Sequence, residues 1–206
     1  MHQRSDSSAP PVTRIAVIGA SGSIGLAVCE ALAGDYDVVA LTRFDPPAAA
    51  SGDGPPIAWV QCDLFARSRI DACLADCDVA IHLVHTRLPS ARLDQAVCAD
   101  MDLIIADNVA RAARSQGIRQ IICLRGLVPA GELPAELAAR RDEVVDALAA
   151  FGTPVTVLRA SLVVAPGSSS VNLIASAVEG AGIVPVPAWA GARKQPIALS
   201  LSLIHI

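Results

Sequence analysis

Between Arg14 and Gly25 an apolar run breaks into three glycines at three-residue spacing: Arg14-Ile15-Ala16-Val17-Ile18-Gly19-Ala20-Ser21-Gly22-Ser23-Ile24-Gly25. Ile15 to Ile18 reads as a strand buried on both faces. From Ser23 onward Ile24, Val28, Ala31 and Leu32 recur at helical spacing. A strand that turns directly into a helix presents free backbone N–H groups and the positive end of the helix dipole to whatever lies above the turn. Glycine permits the tight turn, admits a pyrophosphate where a Cβ would collide, and lets the helix pack closely on the strand. The pattern predicts a dinucleotide site in which Gly19, Ala20, Ser21, Gly22, Ser23, Ile24 and Gly25 cradle the pyrophosphate.

Beyond the turn, strand and helix alternate. Strands are expected at Tyr36–Leu41, Ile57–Gln61, Val79–Val84, Gln120–Leu124 and Val155–Leu158. A long helix is expected over Leu93–Ser115, with Val97, Met101, Ile104, Ile105, Val109 and Ala112 on one face. Another should run from Pro134, in a first-turn position, to Phe151, closed by Gly152. Alternation of this kind implies right-handed crossovers and one doubly wound parallel sheet, a three-layer α/β fold. The Pro-, Ala- and Gly-rich Asp45–Pro56 reads as a flexible surface loop within that domain.

With 206 residues there is room for one such domain, and 53% hydrophobic against 17% charged residues suits a sheet covered on both faces. No apolar run is long enough to span a membrane without a charge, Pro or Gly. Residues 1–11 are polar, without the apolar region of a secretion signal, and read as a disordered leader. The net charge of −4 includes no basic run, so nucleic acid is not an expected partner. Cysteines 29, 62, 73, 77, 98 and 123 form no C-x-x-C pair and are not spaced with His82 and His85 as zinc ligands are, so no metal site is expected. Scattered cysteines of this kind act as small buried hydrophobes and point to a reduced, cytoplasmic protein.

The end of the second strand is where such folds meet the adenosine ribose. An acidic residue there hydrogen-bonds the 2′-hydroxyl of NAD, whereas arginine pairs with the 2′-phosphate of NADP. Leu41-Thr42-Arg43 offers arginine, with Asp45 two residues beyond. Arg43 is therefore either a 2′-phosphate ligand or a solvated strand-end arginine; the first reading favours NADP, with NAD second.

The glycine turn and Asp107-Asn108-Val109-Ala110-Arg111-Ala112-Ala113 with Gly117-Ile118 resemble the short-chain dehydrogenase/reductase superfamily. Arg141-x-Glu143-Val144, Gly152-x-Pro154-Val155-Thr156-Val157-Leu158-Arg159-Ala160-Ser161, Pro166-Gly167-Ser168 and Pro187–Ile197 narrow the resemblance to atypical members with an NmrA-like or complex I accessory-subunit-like domain. That resemblance implies a Rossmann fold over residues 12–165 and the start of a substrate-side region over 166–200. It also implies that Asp63, in Gln61-Cys62-Asp63-Leu64, meets the adenine amino group, with Leu64 beside it. An N-cap for a helix over Ala66–Leu74 is the alternative for Asp63. The segment containing Leu83 would run beneath the cofactor through its backbone, leaving His82 and His85 as satisfied structural histidines.

Catalytic members of the superfamily carry a Tyr-x-x-x-Lys pair and a Ser. Those positions fall here on Leu137, Arg141 and Arg125, and the one tyrosine, Tyr36, lies on the second strand. Leucine transfers no proton and arginine stays charged, so the usual acid is missing. Arg125 and Arg141 are candidates to face the substrate side, where two cations would favour an anionic ligand or the cofactor phosphates; solvated arginines are the alternative. The resemblance implies either an NAD(P)(H)-dependent oxidoreductase or epimerase acting on a small carbonyl or quinone-like substrate, or a non-catalytic redox sensor or assembly factor with a protein partner.

The hexapeptide Leu201–Ile206 matches the translation of CTGTCTCTTATACACATC, a transposon end used in tagmentation libraries. Residues 201–206 are therefore expected to be adapter read-through, and the natural protein to be longer.

Overall fold

The computed structural model describes residues 13–44, 56–85, 95–127, 143–165 and 196–199, with isolated positions between 171 and 179. Residues 1–11, most of Asp45–Pro56, Leu137, Arg141, Pro166–Ser168, nearly all of Pro187–Ile197 and residues 201–206 lie outside the described residues.

The chain runs β1 (Arg14–Ile18), α1 (Ser23–Leu32), β2 (Asp37–Thr42), β3 (Ala58–Gln61), α2 (Arg67–Cys73), β4 (Val79–His82), α3 (Gln95–Gln116), β5 (Gln120–Gly126), α4 (residues 143–149) and β6 (Val155–Ala160). β7 (Val163–Val164) and β8 (Ile197–Ala198) pair separately. The six main strands form one parallel sheet in the order β3-β2-β1-β4-β5-β6. The fold is the doubly wound Rossmann type, and its strand order reverses between β1 and β4.

Because alternate residues of a strand point to opposite faces, a sheet covered on both sides has two cores. Ala16, Ile18, Val39, Leu41, Ala80, Ile121 and Cys123 pack with Ile70 and Leu74 of the α2 region, Ile105 and Val109 of α3, and Val144 and Leu148 of α4. Ile15, Val17, Val38, Ala40 and Ile81 pack with Val28 and Cys29 of α1. Burial pushes the Cys29 and Cys62 thiols up to about 12, which keeps them protonated packing groups.

The long helix differs from its periodic reading at one position. Ile104 is 51% exposed, while Asp102, Ile105, Ala106, Val109, Ala110, Ala112 and Ala113 are buried. Alanines let the helix axis approach the sheet, so the buried stripe centres on 106, 109, 110 and 113. That turns Ile104, with Arg111, toward the outside. Asp102 is the charged residue on that buried stripe. The β5 and β6 strands also run two residues past their expected ends, to Gly126 and Ala160, carrying Arg125 and Arg159 into adjacent register.

Candidate dinucleotide site

The site is built where β1 ends. Gly19 adopts φ +93°, a left-handed conformation, and a Cβ there would lie 3.3 Å from both the Leu83 carbonyl carbon and the Val84 nitrogen. The Gly19 and Ala20 N–H groups donate to the Leu41 carbonyl at 3.2 and 3.1 Å, tying the turn to β2. Those two residues shape the turn while their donors are spent inside the protein. At Gly25 an added Cβ would fall 2.3 Å from the Gly19 oxygen and 2.7 Å from the Ala20 Cα. Only glycine lets α1 approach this closely.

Gly22 has a different surrounding: a Cβ would find nothing nearer than the Gly19 oxygen at 3.5 Å. It is the N-cap of α1 and supplies no side-chain cap; the first bond inside the helix runs from the Leu26 N–H to the Gly22 carbonyl. The Ser23, Ile24 and Gly25 N–H groups therefore have no acceptor within the helix. With the exposed Ser21 they open above the sheet, a cradle suited to a diphosphate.

On the β2–β3 side, Arg43 is exposed and its guanidinium carbon stands 4.9 Å from the centre of the Phe44 ring. Its carbonyl accepts from Gln61 Nε2 at 3.4 Å. Asp63, also exposed, accepts from the Phe65 N–H at 3.0 Å in a local turn, and Ala66 is the N-cap of α2. The capping role left open for Asp63 is thus not adopted. Leu64 packs against the α2–α3 core, and its carbonyl and that of Phe65 accept from Asn108 Nδ2 at 3.2 and 3.3 Å. Asn108, to which sequence reading assigned no role, anchors the Asp63 loop to α3.

On the β4–β5 side, the Leu83 N–H donates to the Ile18 carbonyl at 3.0 Å, holding the segment after β4 against the glycine turn. His82 is 1% exposed, and neither ring nitrogen has a hydrogen-bond partner among the described residues. It is buried as expected of a structural histidine but is not satisfied. Its slot at the β1–β4–β5 centre is apolar enough that burial, then the Arg125 charge, lower its pKa to about 4. His85 Nδ1 lies 3.1 Å from Asp102 Oδ2; the His85 side chain is 61% exposed and that of Asp102 only 7%. A carboxylate only accepts, so Nδ1 carries the hydrogen. Arg125, at the end of β5, stands in register with Arg159 of β6.

The model of the NAD dependent epimerase/dehydratase family matches residues 15–133, which include the glycine turn, the Asp63 loop and the whole β4–α3–β5 unit. The chain belongs to that family. It is an atypical short-chain dehydrogenase/reductase, and the cofactor of its family is a nicotinamide dinucleotide. It is 28% identical to the auxiliary protein GraX of Staphylococcus aureus over 143 residues, 69% of this chain and 42% of GraX. The chain thus spans less than half the length of that curated relative. The enzyme WbmH of Bordetella bronchiseptica, solved with NAD+, superposes with a TM-score of 0.64 at 17% identity, covering 82% of this chain and 64% of WbmH. The triphenylmethane reductase of Citrobacter sp., solved with NADP(H), gives 0.60 at 20% identity, covering 81% and 55%. These likenesses are likenesses of fold.

Arg125, read from the resemblance as standing at the superfamily's serine position, is half-buried at the end of β5. The tyrosine and lysine positions, Leu137 and Arg141, lie outside the described residues. Arg159 was missed by sequence reading because only strand register brings it beside Arg125. Among the described residues no helix is long and apolar enough to cross a membrane.

Proposed function

We propose that this family member binds NADP(H) along the carboxyl edge of its sheet and acts as an oxidoreductase or epimerase on a small carbonyl or quinone-like substrate. The observation that carries the reading is the α1 terminus: three uncapped N–H groups behind a glycine that leaves open space, beside a glycine that no other residue could replace. The Ser23, Ile24 and Gly25 N–H groups, with Ser21, hold the diphosphate, while Gly19, Ala20 and Gly22, whose N–H donates to the Gly19 carbonyl, shape the turn. The exposed Arg43 takes the 2′-phosphate and Asp63 the adenine amino group; the Leu83–Val84 peptide closes the floor. Arg43 at the end of β2, where an NAD site offers an acid, is what supports NADP over NAD. When bound, the dinucleotide supplies or accepts a hydride. Arg125, and from the resemblance Arg141, are proposed to favour an anionic group on the substrate side. Thiols outside any disulfide, most of them buried, suit the reducing cytoplasm.

The test is titration of the full chain with NADPH and NADH, followed by dinucleotide fluorescence. NADPH is expected to bind more tightly. Absence of any response to either would remove the reading. A second reading, a non-catalytic sensor or assembly factor that reports dinucleotide occupancy to a protein partner, is supported by Leu137 and Arg125 at the superfamily's tyrosine and serine positions. The auxiliary role in the name of the relative GraX points the same way. Tight NADPH binding without NADPH oxidation across a panel of aldehydes and quinones would favour it.

A further inference from the structure

We propose that His85, oriented by Asp102, is the proton-transfer group of this chain and takes over the task for which the superfamily uses a tyrosine. The proposal rests on the dinucleotide reading.

Position is the first argument. A dinucleotide with its diphosphate on the glycine turn and its adenine over β2 and β3 extends its other half across the carboxyl ends of β4 and β5. His85 is the third residue after β4, and the peptide just before it touches Gly19. It therefore stands on the reacting half of the crevice, beyond the reversal of strand order.

Construction is the second. Asp102 sits on the alanine-rich stripe that α3 turns to the sheet, where a carboxylate is costly unless it is hydrogen-bonded. His85 Nδ1 meets it at 3.1 Å. This bond orients the imidazole and leaves Nε2 on its open edge, since the ring is mostly exposed while the carboxylate is not. An imidazole oriented by a buried carboxylate is a recurrent arrangement for moving protons near neutral pH. Leu137 and Arg125 cannot move one.

Charged and titratable groups reach this place from three elements. From β4, His82 is buried and neutral; from β5 comes the Arg125 cation; from α3 comes Asp102.

In the reducing direction the bound dinucleotide would supply hydride to the carbonyl carbon, and His85 Nε2 would release its proton to the carbonyl oxygen. The π pair of the C=O bond moves onto that oxygen and becomes the new O–H bond. Alcohol and oxidised dinucleotide result, and the neutral ring, still bonded through Nδ1–H to Asp102, regains a proton from solvent. In the oxidising direction Nε2 accepts the hydroxyl proton.

The test uses the full chain labelled at histidine, with the His85 ring signals assigned by comparison with His85→Gln. NADPH is added while its binding is followed independently by fluorescence. The expected result is a shift of the His85 ring signals on NADPH binding. Asp102→Asn should move the His85 Nδ1 signal in the free protein, because the charged acceptor is lost, while NADPH affinity stays within about twofold. With an aldehyde and quinone panel, His85→Gln should lower kcat by about a hundredfold or more, with NADPH binding retained and the acid limb of the pH profile altered. Added imidazole should partly restore the rate of His85→Ala. NADPH binding with unmoved His85 signals overturns the proposal, as does wild-type turnover by His85→Gln. Failure of NADPH to bind at all removes the dinucleotide reading itself, a separate outcome.

Discussion

The two halves of the crevice are built by opposite means. At the end of β1 the candidate site is backbone: a left-handed Gly19, a Gly25 with no room for a Cβ, and three helix N–H groups without acceptors inside α1. Over β4, β5 and β6 it is side chains from separate elements: His82, His85, Asp102, Arg125 and Arg159. Backbone recognition suits a diphosphate, a constant ligand whose oxygens accept from any peptide. Side-chain recognition can change while the sheet stays the same.

The largest effect should follow from breaking the backbone half. Gly25→Val places a side chain against the Gly19 oxygen and Ala20 Cα, where nothing flexible can yield. A loss of about 3 kcal/mol or more is expected, or a fall in Tm of roughly 6–12 °C, together with loss of NADPH binding. Thermal melts and fluorescence titration measure both; unchanged binding would mean the close helix approach is not what holds the cradle.

His82 sharpens the contrast from the other half. Its folded pKa of about 4 lies below the usual 6.5, so the unfolded chain binds more protons between those values. The stability it supports is complete above pH 6.5 and is lost as pH falls toward 4, amounting to about 3 kcal/mol at most. His82→Leu should remove this pH dependence, and because both ring nitrogens lack partners it should leave stability near neutral pH unchanged or raised. Denaturant unfolding from pH 7 to 4 measures it; a large loss at pH 7 would reveal a hydrogen bond to the ring.

Arg43→Ala should weaken NADPH about tenfold or more and spare NADH, given the usual strength of a charge-assisted bond. Equal loss for both would refute the 2′-phosphate role. The smallest effect belongs to Asp63→Ala, about 0.5–1 kcal/mol in affinity for either dinucleotide, because the carboxylate is exposed and already accepts from Phe65 N–H. Calorimetric titration resolves it.

The backbone half was legible because its signals are local. Gly19, Gly22 and Gly25 lie within seven residues, and their spacing after an apolar run encodes turn, opening and helix approach together. Arg43 was marked for the same reason, by its place at a strand end, and it stands exposed there. Of the two histidines read as satisfied and structural, His85 is hydrogen-bonded, but its partner Asp102 could not be named because it lies seventeen residues on, across residues that carry no periodic sign of the contact; His82 is buried without a partner among the described residues. Ile104 shows the same limit: an isoleucine in a helical pattern reads as buried until alanines elsewhere decide which stripe fits the sheet.

Sequence by itself thus determined the alternating elements, the parallel sheet and the glycine turn, because each depends on residues close in the chain. Tertiary structure alone decided that Asp102 faces His85, that His82 is buried without partners, and that Arg159 stands beside Arg125. Those relations join β4 to α3, β1 to β4 and β5 to β6, and their geometry exists only once strand register and helix packing bring the elements together.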